Sequence, residues 1–191
     1  MESKNKNQNK MEEQTEKTNN LKTDRNIWKF ILYSILTIGI YPIVVFSQIS
    51  NELNKNLNDN KKIMEFWKIF LIALSISIIL ISIGQTNGFI GMIPTLLILG
   101  WHEKVYRKIK KELSRRFIEI PTLFNIWILA FPFILGPLVV IISLFAPSFI
   151  LIYILYITAI VSPFIYCAGL LEAMNRLNSN INQQKISDNQ K

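Results

Sequence analysis

Apolar and polar positions alternate along this chain on two length scales. On the long scale, charge disappears for whole stretches: residues 30–51, 69–102 and 120–171 contain no Asp, Glu, Lys or Arg, in runs of 22, 34 and 52 residues. On the short scale, the polar segments between them keep apolar residues at the 3.6-residue helical period. One such stripe is Phe46, Ile49, Leu53 and Leu57. A second is Val105, Tyr106, Ile109, Leu113 and Phe117, and a third is Leu171, Met174, Leu177 and Ile181.

Five apolar blocks stand out, at residues 27–46, 67–83, 89–101, 123–145 and 149–171. Breakers divide them: the GQTNG segment at Gly84 to Gly88, Pro121, and Ala146-Pro147-Ser148. A bilayer core excludes charge and takes about 20 apolar residues per helical span. The pattern predicts an all-α integral membrane protein with about five hydrophobic segments: four full spans plus a re-entrant first hairpin, with membrane-parallel amphipathic helices on the cytoplasmic side. Gly39 and Pro42 are the expected turn of that hairpin. Gly136 and Pro137, with Pro132, should kink the fourth block, and Pro163 the fifth. Trp28, Trp67 and Trp101 at the charged ends of blocks, and Trp127 soon after Arg116, mark one shared interfacial face.

The pattern also repeats. Aligning Glu52-Leu53 with Glu112-Leu113 pairs Val45 with Val105 and Ile49 with Ile109, and a third copy pairs Pro42 with Pro163 and Leu53-Asn54 with Met174-Asn175. The expected organisation is a disordered polar tail at 1–26, a helical membrane domain at 27–181 built from three degenerate units (27–58, 66–117 and 122–181), and a polar C-terminal tail at 182–191. Two topologies fit. If block 27–46 crosses once, there are five spans and the N-terminal tail faces away from the later polar regions. If it turns back at Gly39 to Pro42, every Lys and Arg lies on one side, which satisfies the positive-inside rule with both termini cytoplasmic. The second is favoured, although arms of about 11 residues rise only about 16 Å and cannot cross a core of about 30 Å.

Charge adds topology more than chemistry. Lys plus Arg number 21 against 13 Asp plus Glu, a net charge of +8, but the basic residues lie between apolar blocks and not across a folded basic face, which excludes nucleic acid as the natural partner. The exception is His102 to Ile120, where Lys104, Arg107, Lys108, Lys110, Lys111, Arg115 and Arg116 surround the second stripe. A cationic amphipathic helix suits an anionic lipid surface, while the same charges would equally serve as a topogenic loop. Partners expected on this basis are membrane lipid and other membrane proteins or a second copy, with no small-molecule substrate.

The stretch RNIWKFILYSILTIGIYPIVVFSQISNELN, Arg25 to Asn54, resembles the opening unit of the bacterial membrane family called domain of unknown function 4234, with its hydrophobic run, T-x-G-I-Y signature and closing E-L-N helix. KKELSRR, Lys110 to Arg116, and SPFIYCAGLLEAMNRLN, Ser162 to Asn178, are similar to its later segments. The likeness runs from Arg25 to Asn182. It departs in lacking T-x-G-I-Y in the second unit and in extra length around Gly84 to Gly91 and between Gly136 and Ser162. The resemblance implies a multi-pass protein of the bacterial inner membrane and carries no activity.

Catalytic chemistry finds little to stand on. His102 and Cys167 are the only residues of their kinds, so no His and Cys cluster can build a transition-metal site. Ion-coupled transporters and intramembrane proteases usually depend on ionisable groups within apolar segments, and the three uncharged runs supply none. No P-loop, G-x-S-x-G or H-E-x-x-H occurs. His102, beside Trp101 and Glu103, reads as a structural interfacial residue, and Cys167 as core packing. The expectation is a non-enzyme without cofactor: an interaction or regulatory module, or alternatively a small uncoupled channel, transporter subunit or immunity-type protein.

Overall fold

The computed structural model describes residues 21–57, 62–84, 90, 92–132 and 149–190. Five helices organise it: α1 (Ile27–Leu36), α2 (Ile40–Asn56), α3 (Phe66–Ser82), α4 (Ile93–Arg115) and α5 (Phe149–Asn189). Residues 126–132 are also helical. Packing closes a ring, with α1 against α2, α2 against α3, α3 against α4, α4 against α5, and α5 back against α1.

Local chemistry sets the helix ends. Asn26 starts α1 by accepting from the Trp28 backbone N–H through its side chain. The chain reverses at Thr37–Ile38–Gly39, where Ile38 (φ 50°) and Gly39 (φ 83°) are both left-handed. Gly39 N–H donates to Ser34 O at 2.8 Å and Ile38 N–H to Ile35 O at 3.2 Å, the paired bonds that satisfy the last carbonyls of a helix. Thr37 then ties the two arms together: its hydroxyl donates to Tyr33 O and accepts from Tyr41 N–H at 2.9 Å. Pro42 lies in the first turn of α2, where its missing N–H costs no helical bond. Pro163 lies inside α5. Gly136 and Pro137 fall outside the described residues.

The three stripes meet one another. Ile49 and Leu53 of α2, Val105, Ile109 and Leu113 of α4, and Leu170, Met174 and Leu177 of α5 join a single buried core, most of them with no accessible surface at all. Each such side chain contributes roughly 1.5–3 kcal/mol on removal from water. Two expectations need correction. The amphipathic helices are not membrane-parallel elements with apolar faces turned to lipid, because those faces pack on each other. Phe117 also leaves its predicted stripe: α4 ends at Arg115, Phe117 takes φ 55°, and the ring is 98% exposed.

The larger correction concerns the membrane itself. Among the described residues, no helix is long and apolar enough to cross a membrane, which overturns the expected multi-pass integral membrane fold with its four full spans and the inner-membrane location read from it. The first two uncharged runs are not continuous rods. The first is cut at Thr37–Gly39, leaving α1 with 10 residues. The second is cut after Ser82, where Gly84 (φ 71°) turns the chain, and α3 has 17 residues. In α4 only the stretch from Ile93 to His102 precedes the charged turns.

Residues on both sides of the expected tail boundaries belong to the fold. Residues 21–25 lie beside α5, hydrogen-bonded to its side chains, and α5 continues to Asn189. The segment between α4 and residue 126 rides directly on α5 at Gly169: a Cβ there would lie 2.3 Å from both Leu123 C and Phe124 N. Backbone cannot yield as a flexible side chain would. Gly169→Ala is therefore expected to destabilise the protein by about 1–3 kcal/mol through overpacking, read as a lower thermal midpoint in detergent solution. A midpoint equal to wild type would rule out this contact.

Candidate functional site

One aromatic layer divides the bundle. Phe30 meets Phe46 at 5.8 Å between ring centroids, Phe46 meets Phe66 at 5.0 Å, and Phe66 meets Trp101 at 4.6 Å. The layer continues through His102 to Tyr166 at 5.3 Å and on to Phe124 at 6.3 Å. Trp101 Nε1–H donates to Met64 O at 2.8 Å. The His102 ring stands edge-on to Phe46, Trp101 and Tyr166, and its Nδ1 is buried without a hydrogen-bond partner. Burial lowers its pKa to about 3, so the imidazole is neutral at physiological pH. Burial also pushes the Cys167 thiol up to about 12 and the Tyr166 phenol well above its ordinary value. These groups build a packed layer, and the thiol is an inert one.

The two ends separated by this layer differ in kind. Toward the ends of α2, α4 and α5 the outer surface is polar and the core is the three buried stripes. On the other side lie the uncharged parts of α1 to α5, which leave large apolar residues exposed: Leu36, Ile38 and Ile40 at the hairpin, Ile78, Ile79 and Ile81 on α3, and Tyr153, Ile154 and Ile160 on α5. Around the boundary stand three exposed tryptophans, Trp28, Trp67 and Trp127, each an apolar body with a polar N–H. Lys29, Lys68 and Lys104 are exposed beside them at the starts of α1 and α3 and on α4 just past Trp101. Trp101, expected on the same interfacial face, is instead 2% exposed and packs inside the aromatic layer.

The seven basic residues singled out on α4 are not equivalent. Lys104, Arg107, Lys110, Lys111 and Arg115 are exposed, whereas Lys108 is buried. Arg107 pairs with Glu103 at 2.6 Å and Arg115 with Glu112 at 2.8 Å. Arg116 joins α4 to α5, donating to Asn180 Oδ1 at 3.0 Å and to Gln184 Oε1 at 2.6 Å. It is a structural tie. The helix also points away from the collar, so only its first basic turn stands near the apolar end.

Sequence reasoning missed a second constellation altogether. The segment 21–25 lies against α5, held by Asn175, Asn178 and Asn182. Asn182 accepts from Leu21 N–H at 3.0 Å and donates to Leu21 O at 2.9 Å; Asn175 accepts from Arg25 N–H at 3.1 Å and donates to Arg25 O at 2.8 Å. Asn178 donates to Lys22 O at 2.9 Å and to Glu52 Oε2 at 2.8 Å, and Glu52 receives the Arg25 guanidinium at 2.5 Å. Asn54 grips the chain before α3 in the same two-bond manner, through the N–H and C=O of Ile63. The only available signal was the spacing of Asn175, Asn178 and Asn182 on one face of a helix.

Among the described residues, no group of three or more His, Cys, Asp or Glu could hold a metal ion. No family model matches the chain, and neither the curated proteins nor the solved structures include a match.

Proposed function

We propose that this protein is a non-catalytic interaction module that associates with anionic lipid, seating its uncharged end among acyl chains up to the Trp28, Trp67 and Trp127 collar. The three-helix polar end then stands in water. The observation that carries the reading is the coincidence of three things at one level: exposed apolar helix surface on one side, exposed tryptophans at the boundary, and Lys29, Lys68 and Lys104 beside them. Large apolar residues left exposed together at one end support the reading of an interaction site. Indole rings favour the headgroup level, and each lysine near an anionic surface contributes about 1 kcal/mol before screening. None of this requires a helix to cross.

Vesicle flotation of detergent-purified protein, after the detergent is removed, tests the reading. The protein should float with phosphatidylcholine vesicles, and more tightly with vesicles containing phosphatidylglycerol, with salt weakening only the difference. Replacing Lys29, Lys68 and Lys104 together with Ser should cut the anionic preference by roughly tenfold and leave neutral binding in place. Protein that stays at the bottom of the gradient with both vesicle types, as a discrete oligomer of its own, would overturn it.

A further inference from the structure

We infer that the face formed by Asn175, Asn178, Asn182 and Glu52 is a binding site for an extended peptide carrying an arginine, and that residues 21–25 occupy it in cis. The inference stands apart from the lipid reading and rests on the chemistry of the clamp. A carboxamide presents one acceptor and donors, so it can match a backbone N–H and C=O together, as the edge of a strand would. Asn175 and Asn182 both do so. Such bonds read the backbone and not the side chains.

Geometry fits the helix face to the segment. Asn175 and Asn182 stand about 10.5 Å apart along the helix, and Arg25 and Leu21 meet them at the matching ends of a five-residue segment. The segment runs antiparallel to α5, Leu21 lying on Asn182 and Arg25 on Asn175.

Selectivity comes from two side chains. Leu21 packs against the buried core. Arg25 enters a slot in which its side chain is 4% exposed, and Glu52, itself oriented by Asn178, receives the guanidinium. A planar cation with several N–H donors suits that carboxylate better than lysine does. Beside the slot a cavity of about 230 Å³, lined by Lys22, Arg25, Tyr41 and Gln48, leaves space for further side chains. The ligand specified is thus an extended segment with an arginine four residues after a leucine-sized residue.

The probe is a fluorescent peptide of sequence NLKTDRN, titrated into the full chain. Wild type holds its own arm in the site, so the apparent affinity is reduced by the small fraction of open sites. A Leu21→Gly/Arg25→Gly chain, checked for unchanged helicity, should bind the peptide at least tenfold more tightly than wild type. Adding Asn178→Ala, or replacing the peptide's arginine with glycine, should weaken that binding at least tenfold. Hydrogen exchange on the wild-type chain supplies the second readout: saturating peptide should accelerate exchange at the Leu21 and Arg25 amides. A folded arm variant that binds no peptide, equal binding of the arginine-free peptide, or exchange unchanged by saturating peptide would each overturn the inference.

Discussion

Glu52→Ala is expected to destabilise the protein by about 3 kcal/mol and to release the arm at residues 21–25. Removing one member of a buried ion pair leaves the other charge without compensation, which typically costs about 3–5 kcal/mol. The figure sits at the lower end because Glu52 is itself 21% exposed and because Arg25 keeps one further bond, to Lys22 O at 2.7 Å. The loss should be partly relieved in the Arg25→Ala/Glu52→Ala double variant, where no stranded guanidinium remains. Denaturation in detergent gives the energies. Limited trypsin digestion gives the location, since cleavage after Lys22 and Arg25 should become faster while cleavage within α2 to α5 stays as in wild type. A cost below about 1 kcal/mol would place the pair in the class of solvent-screened surface bridges.

That pair lay outside what sequence reasoning reached, for a physical reason. Residues 1–26 have the composition of a polar tail, and composition carries no information about a segment whose hold comes through its backbone. Asn175, Asn178 and Asn182 lie off the apolar stripe of α5, where polarity alone names no partner. The stripes themselves were legible, because Ile49, Leu53, Val105, Ile109, Leu113 and Met174 recur at the helical period and all are buried. Periodicity identifies an apolar face but not what covers it, and the cover here is the other two stripes. The same ambiguity produced the membrane spans. Counting uncharged residues measures how far charge is absent, whereas a span needs one uninterrupted helix, and the left-handed Ile38, Gly39 and Gly84 interrupt the first two runs.

The α4 cluster shows how burial redistributes a charge pattern. Seven basic residues in one segment look alike on paper, yet the register that buries Val105, Ile109 and Leu113 also turns Arg116 inward onto Asn180 and Gln184 and leaves Lys104 and Lys111 outward. Lys29 and Lys68 joined the collar only because α1 and α3 both begin at the aromatic layer. Their sequence neighbours Trp28 and Trp67 were the better guide, since an indole at the edge of an apolar block marks a level in the fold.

The last expected result concerns acid. His102 is held neutral in the aromatic layer with its pKa lowered to about 3, by burial, while an unfolded chain would titrate it near 6.5. Below about pH 6.5 the unfolded state takes up a proton that the native state refuses, so stability is full above that value and declines as pH falls toward 3. At pH 5 the deficit amounts to about 2 kcal/mol, from roughly 1.4 kcal/mol per pH unit. His102→Phe keeps a ring in the layer and removes the titration. The variant's own packing cost cancels when each protein is compared with itself at pH 7.5 and pH 5.0, a range in which ordinary carboxylates change little. Wild type should lose about 2 kcal/mol across that interval and the variant far less. Equal losses would mean that the imidazole reaches water in the native state, and the aromatic layer would then be open where the structure closes it.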